Sequence, residues 1–252
     1  MRFPRSSGIL LHPTSLPGGY GIGCLGAEAR AFADWLAAGG QKLWQVLPLG
    51  PTGYRDSPYQ LFSAFAGNPL LIDLEALVQD GLLDETDLAR APVFPQDEVK
   101  YGTLMRWKLP LLAQAAARFL DQPPEDYADF CQRHAAWLDD FALFMALKDE
   151  HGGAMWTKWD RGVALRDPAA LDAARGRLAG AIEVHKFSQY IFFRQWMELK
   201  AYCRERGIRI VGDMPIYVAH DSADVWANRE LFQLDADGNP SAVAGVPPDY
   251  FS

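Results

Sequence analysis

The sequence predicts an α/β protein built on parallel strands and carrying a mainly helical insertion, and three observations point there. Apolar or β-branched runs at Gly8-Ile9-Leu10-Leu11, Leu43-Trp44-Gln45-Val46-Leu47 and Ile208-Arg209-Ile210-Val211 alternate with helix-patterned segments. That is the order of a parallel sheet. Between about residues 70 and 182 the strand pattern gives way to helical periodicity, with Leu70-Leu71-Ile72 as the last strand candidate. The third run ends abruptly in Asp213-Met214-Pro215-Ile216-Tyr217, and in parallel α/β folds ligands gather at the carboxyl ends of strands. Asp213 is therefore a candidate ligand contact, although the position equally suits an acid that only caps loop amides.

Taken in order, the first strand runs into His12-Pro13, and residues 27–38 place Phe32, Trp35 and Leu36 at helical spacing before Gly39-Gly40 closes the helix. Between them Gly21-Ile22-Gly23-Cys24-Leu25-Gly26 satisfies Gly-x-Gly-x-x-Gly. A dinucleotide turn follows its strand at once and is answered by an acid after the next strand. Here a long loop with Pro13 and Pro17 intervenes and the second strand exits through Pro48-Leu49-Gly50, so dinucleotide binding is rejected. The second strand is apolar at nearly every position, as expected of a parallel strand covered on both faces. Its exit, from Gly50 to Gln60, gathers turn formers, Tyr54, Tyr59, Asp56 and Ser57 into one loop. Flat rings that cover sugar C–H faces beside short polar groups for the hydroxyls would have this composition, as would ordinary packing of two tyrosines.

The middle of the chain is broken by Pro92, Pro95, Pro110, Pro123 and Pro124. Pro123-Pro124-Glu125-Asp126 is a good helix start, with acids near the positive end of the dipole, and His151-Gly152-Gly153 a good end. Trp137, Phe141, Phe144 and Met145 form its core stripe. Trp156 and Trp159 fall in a loop, where they either stack on sugar or pack the insertion. Residues 182–206 carry rings on several faces, which suits a helix wedged between sheet and insertion. After the third strand, Asp221-Ser222 starts a helix with Asp224 in its first turn. Residues 232–234 and 241–243 then flank an Asp235-to-Pro240 turn as a hairpin. The expected division is 1–69, 70–181 and 182–252.

Composition narrows the function. The 252 residues are 49% hydrophobic and can bury a large core. Their 24 basic and 32 acidic side chains give a net charge of −8 with no basic run to follow a phosphate backbone, which argues against nucleic acid. No apolar run has membrane-spanning length, and Met1-Arg2-Phe3-Pro4-Arg5 lacks the apolar core of a secretion signal, so a cytoplasmic location without membrane attachment is expected. Cys24, Cys131 and Cys203 are odd in number and far apart, and the five histidines show no metal-site spacing. The Asp235 turn lacks the glycine and the glutamate of an EF-hand, having Pro240 and Val246 there. No cofactor is expected.

Several blocks resemble the 4-α-glucanotransferases, or amylomaltases: residues 11–18, 44–51, 56–60, 63–69, 211–218, 221–226 and 244–251. They run in family order along the whole chain, with one departure at Cys24, where the family commonly has Asp. The resemblance implies the N-terminal part of a (β/α)8 TIM barrel, about three of eight strands, with an inserted mainly helical subdomain. It also implies a retaining transfer of α-1,4-glucan segments between maltooligosaccharides. That reaction needs a carboxylate nucleophile and a second carboxyl as acid and base. In the family these lie on the fourth and fifth strands, with a third carboxylate near the seventh. The chain is thus expected to be a fragment that lacks the catalytic carboxylates, is inactive alone and requires a C-terminal barrel half.

By the same resemblance, Tyr59 stacks on glucose near the scission point and Asp213 bonds sugar hydroxyls. Asp56 and Ser57 hold the Tyr59 loop, and Asp249 and Phe251 close over the acceptor. Tyr54 and Tyr101 hold a longer glucan away from the reacting bond or simply pack. A non-catalytic α-glucan-binding protein and a hydrolase of the α-amylase clan are the alternatives, and the acceptor loop favours transfer.

Overall fold

The computed structural model describes residues 5–53, 56–242 and 245. Three parallel strands, β1 (Gly8–Leu10), β2 (Leu43–Gln45) and β3 (Arg209–Val211), lie side by side in the order β1-β2-β3. The register aligns Gly8 with Leu43 and Arg209, Ile9 with Trp44 and Ile210, and Leu10 with Gln45 and Val211. Because strand side chains alternate between faces, the row Ile9, Trp44, Ile210 points to one side and joins the main hydrophobic cluster. Trp44 is fully buried there, and its indole N–H donates to the Leu11 carbonyl at 2.8 Å. The ladder continues one residue past the strands, through Leu11 N–H to Gln45 O (3.0 Å) and Val46 N–H to Val211 O (2.9 Å).

Among the described residues the sheet is not covered on both faces. Gln45, Arg209 and Val211 are exposed and Ile210 is only half-buried, so β2 is not the doubly covered strand expected. The main hydrophobic cluster lies on the side of the Trp44 row. The strands are shorter than the predicted runs: β1 ends before Leu11, β2 ends before Val46, and β3 begins after Ile208.

The helix α1 (Ala27–Ala38) is as predicted; it buries Ala29, Ala33 and Leu36 and ends at Gly39. The insertion then supplies α2 (Leu74–Gln79), α3 (Glu85–Leu88), α4 (Tyr101–Asp121), α5 (Glu125–Glu150), α6 (Arg161–Ala164) and α7 (Pro168–Arg177). The strand candidate at Leu70 is instead a 3-10 turn, Pro69–Leu71, because the Asn68 side chain accepts the Leu70 N–H at 2.9 Å and starts it. Pro110 does not break a helix; it lies inside α4, where it costs one backbone bond that the surrounding packing offsets. α5 begins and ends where its prolines and glycines predict.

The long helix α8 (Ala179–Glu205) packs against α5, α4, α1 and β3, which explains its rings on several faces: Phe187, Tyr190 and Phe192 are all buried. A second cluster gathers Phe144, Trp156, Trp159 and Trp226 between α5 and the short helix α9 (Ala223–Ala227). Trp156 and Trp159 are therefore packing residues. Their indole N–H groups donate to His220 O (2.8 Å) and Ala154 O (3.0 Å), so neither ring is presented to a ligand. The expected hairpin after α9 reduces to one antiparallel bridge, Leu234 to Pro240. The Asp235 carboxylate accepts the Asp237 and Asn239 backbone N–H groups instead, at 2.9 and 2.8 Å, and organises a tight turn. Among the described residues no helix is long and apolar enough to cross a membrane.

Candidate functional site

The strands open at their carboxyl ends onto loops tied together by side chains far apart in sequence. At the β1 exit, His12 reaches Thr14 Oγ1 (2.7 Å) through Nδ1 and Pro48 O (3.2 Å) through Nε2. The Thr14 backbone N–H also donates to Nδ1, at 3.3 Å, which assigns the ring proton to Nε2. Burial lowers the His12 pKa, and the Pro48 carbonyl opposes that only in part. The neutral imidazole thus staples the β1 exit to the β2 exit.

The β2 exit makes a folded excursion. Phe62 N–H donates to Pro51 O (2.9 Å) and Gly53 N–H to Gln60 O (2.6 Å), with a bridge between Thr52 and Leu61. At its tip Ser57 Oγ accepts the Tyr59 N–H at 3.3 Å. Asp56 sits in the left-handed region, φ 54°, which Asp tolerates better than most residues. Tyr59 is exposed, and its hydroxyl donates to Asp213 Oδ2 at 2.7 Å across 154 positions of chain. The second carboxylate oxygen of Asp213 accepts its neighbour Met214 N–H at 2.8 Å. The hydrogen bond from the Tyr59 hydroxyl to the Asp213 carboxylate, more than desolvation, raises the Tyr59 pKa. One oxygen of Asp213 thus caps a loop amide, and the other holds Tyr59.

Tyr101, the first residue of α4, stands beside Asp56. Its pKa is raised first by burial and then by the Asp56 charge, while a hydrogen bond to Thr14 acts the other way. Burial likewise raises the Asp56 carboxyl. Tyr101 also lines a cleft of about 980 Å³ bounded by Thr14, Gly18, Glu28, Phe94 and Asp97. Asp213 lines a smaller hollow of about 170 Å³ with Phe65, Phe193, Trp196 and Met214. Tyr59, Asp213, Asp56 and Ser57 are thus placed on the loops at one end of the sheet, with Tyr101 at the start of α4 beside Asp56. Tyr54, Asp249 and Phe251 lie outside the described residues.

The supports of this loop cluster were not foreseen. Asp224 accepts the Ala64 N–H at 2.8 Å and the Ser63 hydroxyl at 3.4 Å, and the Ala223 N–H donates to Phe62 O at 2.8 Å. Burial raises the Asp224 pKa, with the Ala64 amide and Ser63 opposing. Gln189 of α8 bonds both backbone groups of Gly67, at 2.7 and 2.9 Å, and a side chain at Gly67 would collide with the Phe192 ring. Lys148, buried in α5, pairs with Asp221 (2.7 Å) and donates to Ala154 O (3.1 Å). The one visible signal was Asp224 in the first turn of α9, which reads as dipole matching and says nothing about a loop 160 residues earlier.

Elsewhere, fully buried Lys108 donates to Leu70 O at 2.7 Å, and burial pushes its pKa down to about 8. Burial pushes the thiols the other way, Cys24 up to about 12 and Cys203 up to about 11, so neither is a ready nucleophile. Among the described residues no three His, Cys, Asp or Glu side chains cluster as metal ligands.

Three parallel strands with helices behind them, an open front, and an exposed ring held against an acid at the strand outlets define one side of a parallel α/β barrel with a groove at its strand ends. The comparisons with known proteins agree. The family model described as 4-alpha-glucanotransferase matches residues 11–252. The 4-alpha-glucanotransferase of Thermus thermophilus is 55% identical over 256 residues, covering 100% of this chain and 50% of the relative. That of Synechocystis sp. is 51% identical, covering 98% of this chain and 50% of the relative. An amylomaltase from Streptococcus agalactiae, solved in complex with acarbose, superposes with a TM-score of 0.95 at 45% identity, covering 99% of this chain and 51% of that one. This chain belongs to the 4-alpha-glucanotransferase family, and it spans about half the length of the curated relatives it matches.

Proposed function

We propose that this chain supplies the glucan-binding corner of a 4-α-glucanotransferase that moves α-1,4-glucan segments between maltooligosaccharides by a retaining double displacement. The Tyr59 to Asp213 hydrogen bond carries the reading: it fixes an exposed ring and a carboxylate together at the strand outlets, where sugar faces and hydroxyls are met. In this reading Tyr59 stacks on a glucosyl ring next to the scissile bond. Asp213 exchanges its tyrosine contact for sugar hydroxyls, and Asp56 and Ser57 shape the loop. Tyr101, with Tyr54, guides a longer glucan, while Asp249 and Phe251 cover the acceptor.

None of these groups is assigned the bond-breaking step. A glycosyl-enzyme needs a nucleophilic carboxylate and a second carboxyl to protonate the leaving oxygen and then to deprotonate the acceptor hydroxyl. In this reading a C-terminal barrel half provides both. The division 1–69, 70–181 and 182–252, the absence of a cofactor and a cytoplasmic location belong to the same proposal.

The test is a chimera in which these 252 residues replace the matching half of the Thermus thermophilus relative. Disproportionation of maltotriose is the expected activity, and Tyr59→Ala or Asp213→Ala should each lower kcat/KM at least about tenfold, roughly 1.4 kcal/mol of transition-state stabilisation. Unchanged kinetics in both variants would reject the assignment. Glucose release without longer products would make it a hydrolase.

A further inference from the structure

We propose that Lys148 of α5 is a positioning residue for Tyr59: its ammonium holds the base of the Tyr59 loop, so that the inserted helices set where the ring meets a glucosyl unit. The inference rests on the glucan-binding reading of Tyr59 and names a group in the insertion on which that binding depends.

Lys148 is only 4% exposed, and a cation placed so deeply is unfavourable unless its surroundings answer its charge. Here they do. Its Nζ donates to Asp221 Oδ2 at 2.7 Å and to Ala154 O at 3.1 Å. It also lies 4.9 Å from the centre of the Phe62 ring and 5.6 Å from that of Phe144, within the range at which an aromatic face attracts a cation. One ammonium thus joins α5, the start of the α9 segment and the β2 exit.

Phe62 is where the Tyr59 loop closes. Its backbone N–H bonds Pro51 O, and its ring packs on the opposite limb, where a Cβ added to Gly53 would stand 3.2 Å from it. Residues 221–224 grip the same place: the Ala223 N–H holds the Phe62 carbonyl, Asp224 holds the Ala64 amide, and Asp221 is the carboxylate on Lys148. The chain that carries Asp213 runs directly into this segment. Both partners of the Tyr59 to Asp213 bond therefore lead back to groups that Lys148 reaches, Phe62 for the tyrosine and Asp221 for the acid. A second pair of the same chemistry, Lys186 of α8 with Asp139 of α5 at 2.6 Å, joins two helices and serves as the control.

The experiment is a mutant cycle against Tyr59→Ala in the chimera. Lys148→Met alone would strand the Asp221 carboxylate, so the clamp is removed as a neutral pair, Lys148→Met with Asp221→Asn, whose amide oxygen keeps an acceptor for the Trp156 N–H. The neutral pair should lower kcat/KM for maltotriose at least about fivefold, with the same division between KM and kcat as Tyr59→Ala, and less than about twofold once Tyr59 is alanine. Phe62→Leu, which removes the aromatic face and leaves the ion pair intact, should show the same loss and the same dependence on Tyr59. Neutralising Lys186 and Asp139 in the same way should leave kcat/KM within about twofold. Equal losses with and without the Tyr59 ring would overturn the proposal, as would a neutral pair as active as the parent or a control pair with the same coupling to Tyr59. Should the chimera bind maltohexaose without transferring it, loss of that affinity in the neutral pair would support the clamp while overturning the transferase reading.

Discussion

The two faces of one small sheet have opposite characters although their residues alternate along the same strands. Ile9, Trp44 and Ile210 turn toward helices and belong to a continuous core, while Leu10, Gln45 and Val211 turn toward open space. Hydrophobic burial scales with the area removed from water, so the first row holds the fold and the second contributes little to it. The described candidate site residues belong to neither row. Apart from Tyr101 at the start of α4, they sit on loops at the end of the sheet, and side chains such as His12, Asp224 and Gln189 hold backbone groups of the loops there.

The contrast can be broken by substitution. Trp44→Ala, which empties the centre of the buried row, should cost about 3–5 kcal/mol in urea unfolding; a loss below about 1 kcal/mol would mean that the back of the sheet is not the core. Asp224→Ala leaves the Ala64 amide without its charged acceptor and should cost about 1–3 kcal/mol. Its effect should concentrate in hydrogen exchange of residues 63–67, so uniform exchange across the chain would refute the clamp. Lys108→Met probes a buried cation behind the sheet. The folded-state pKa of Lys108 is lowered to about 8 from the ordinary 10.5, so between those values the native state binds fewer protons than the unfolded one, and this side chain's contribution to stability rises with pH. Relative to Lys108→Met, the wild-type chain should gain stability from about pH 8 toward 10.5, and a flat difference would contradict the buried ammonium. At the small end, Val211→Ser on the front should change stability by no more than about 0.5 kcal/mol.

The long elements were legible because local chemistry specified them. α1, α5 and α8 announce themselves by 3.6-residue periodicity and by the glycines and prolines at their ends. The strand positions were legible too, but their burial was misjudged. Val46 is buried as its apolarity suggests, whereas Ile210 is only half-buried and Val211 is exposed; apolarity records the cover a position is built to take, which for Val211 the described residues do not supply. Pro110 within α4 and the 3-10 turn at Leu70 show tertiary packing and a single Asn cap overriding local propensity. In the site, the resemblance singled out Tyr59 and Asp213 and the structure brings them into contact. No spacing rule connects Asp224 to Ala64 or Gln189 to Gly67, because each bond depends on how α9 and α8 are brought beside the β2 exit by the tertiary fold.

The most direct measurement is a double-mutant cycle on maltotriose disproportionation by the chimera, with Tyr59→Phe and Asp213→Asn made singly and together. If the phenol and the carboxylate act as one unit that presents the ring to sugar, each single change should lower kcat/KM and the pair should lose less than the sum, a coupling of about 0.5–3 kcal/mol. Strict additivity, or single variants as active as the parent, would contradict it.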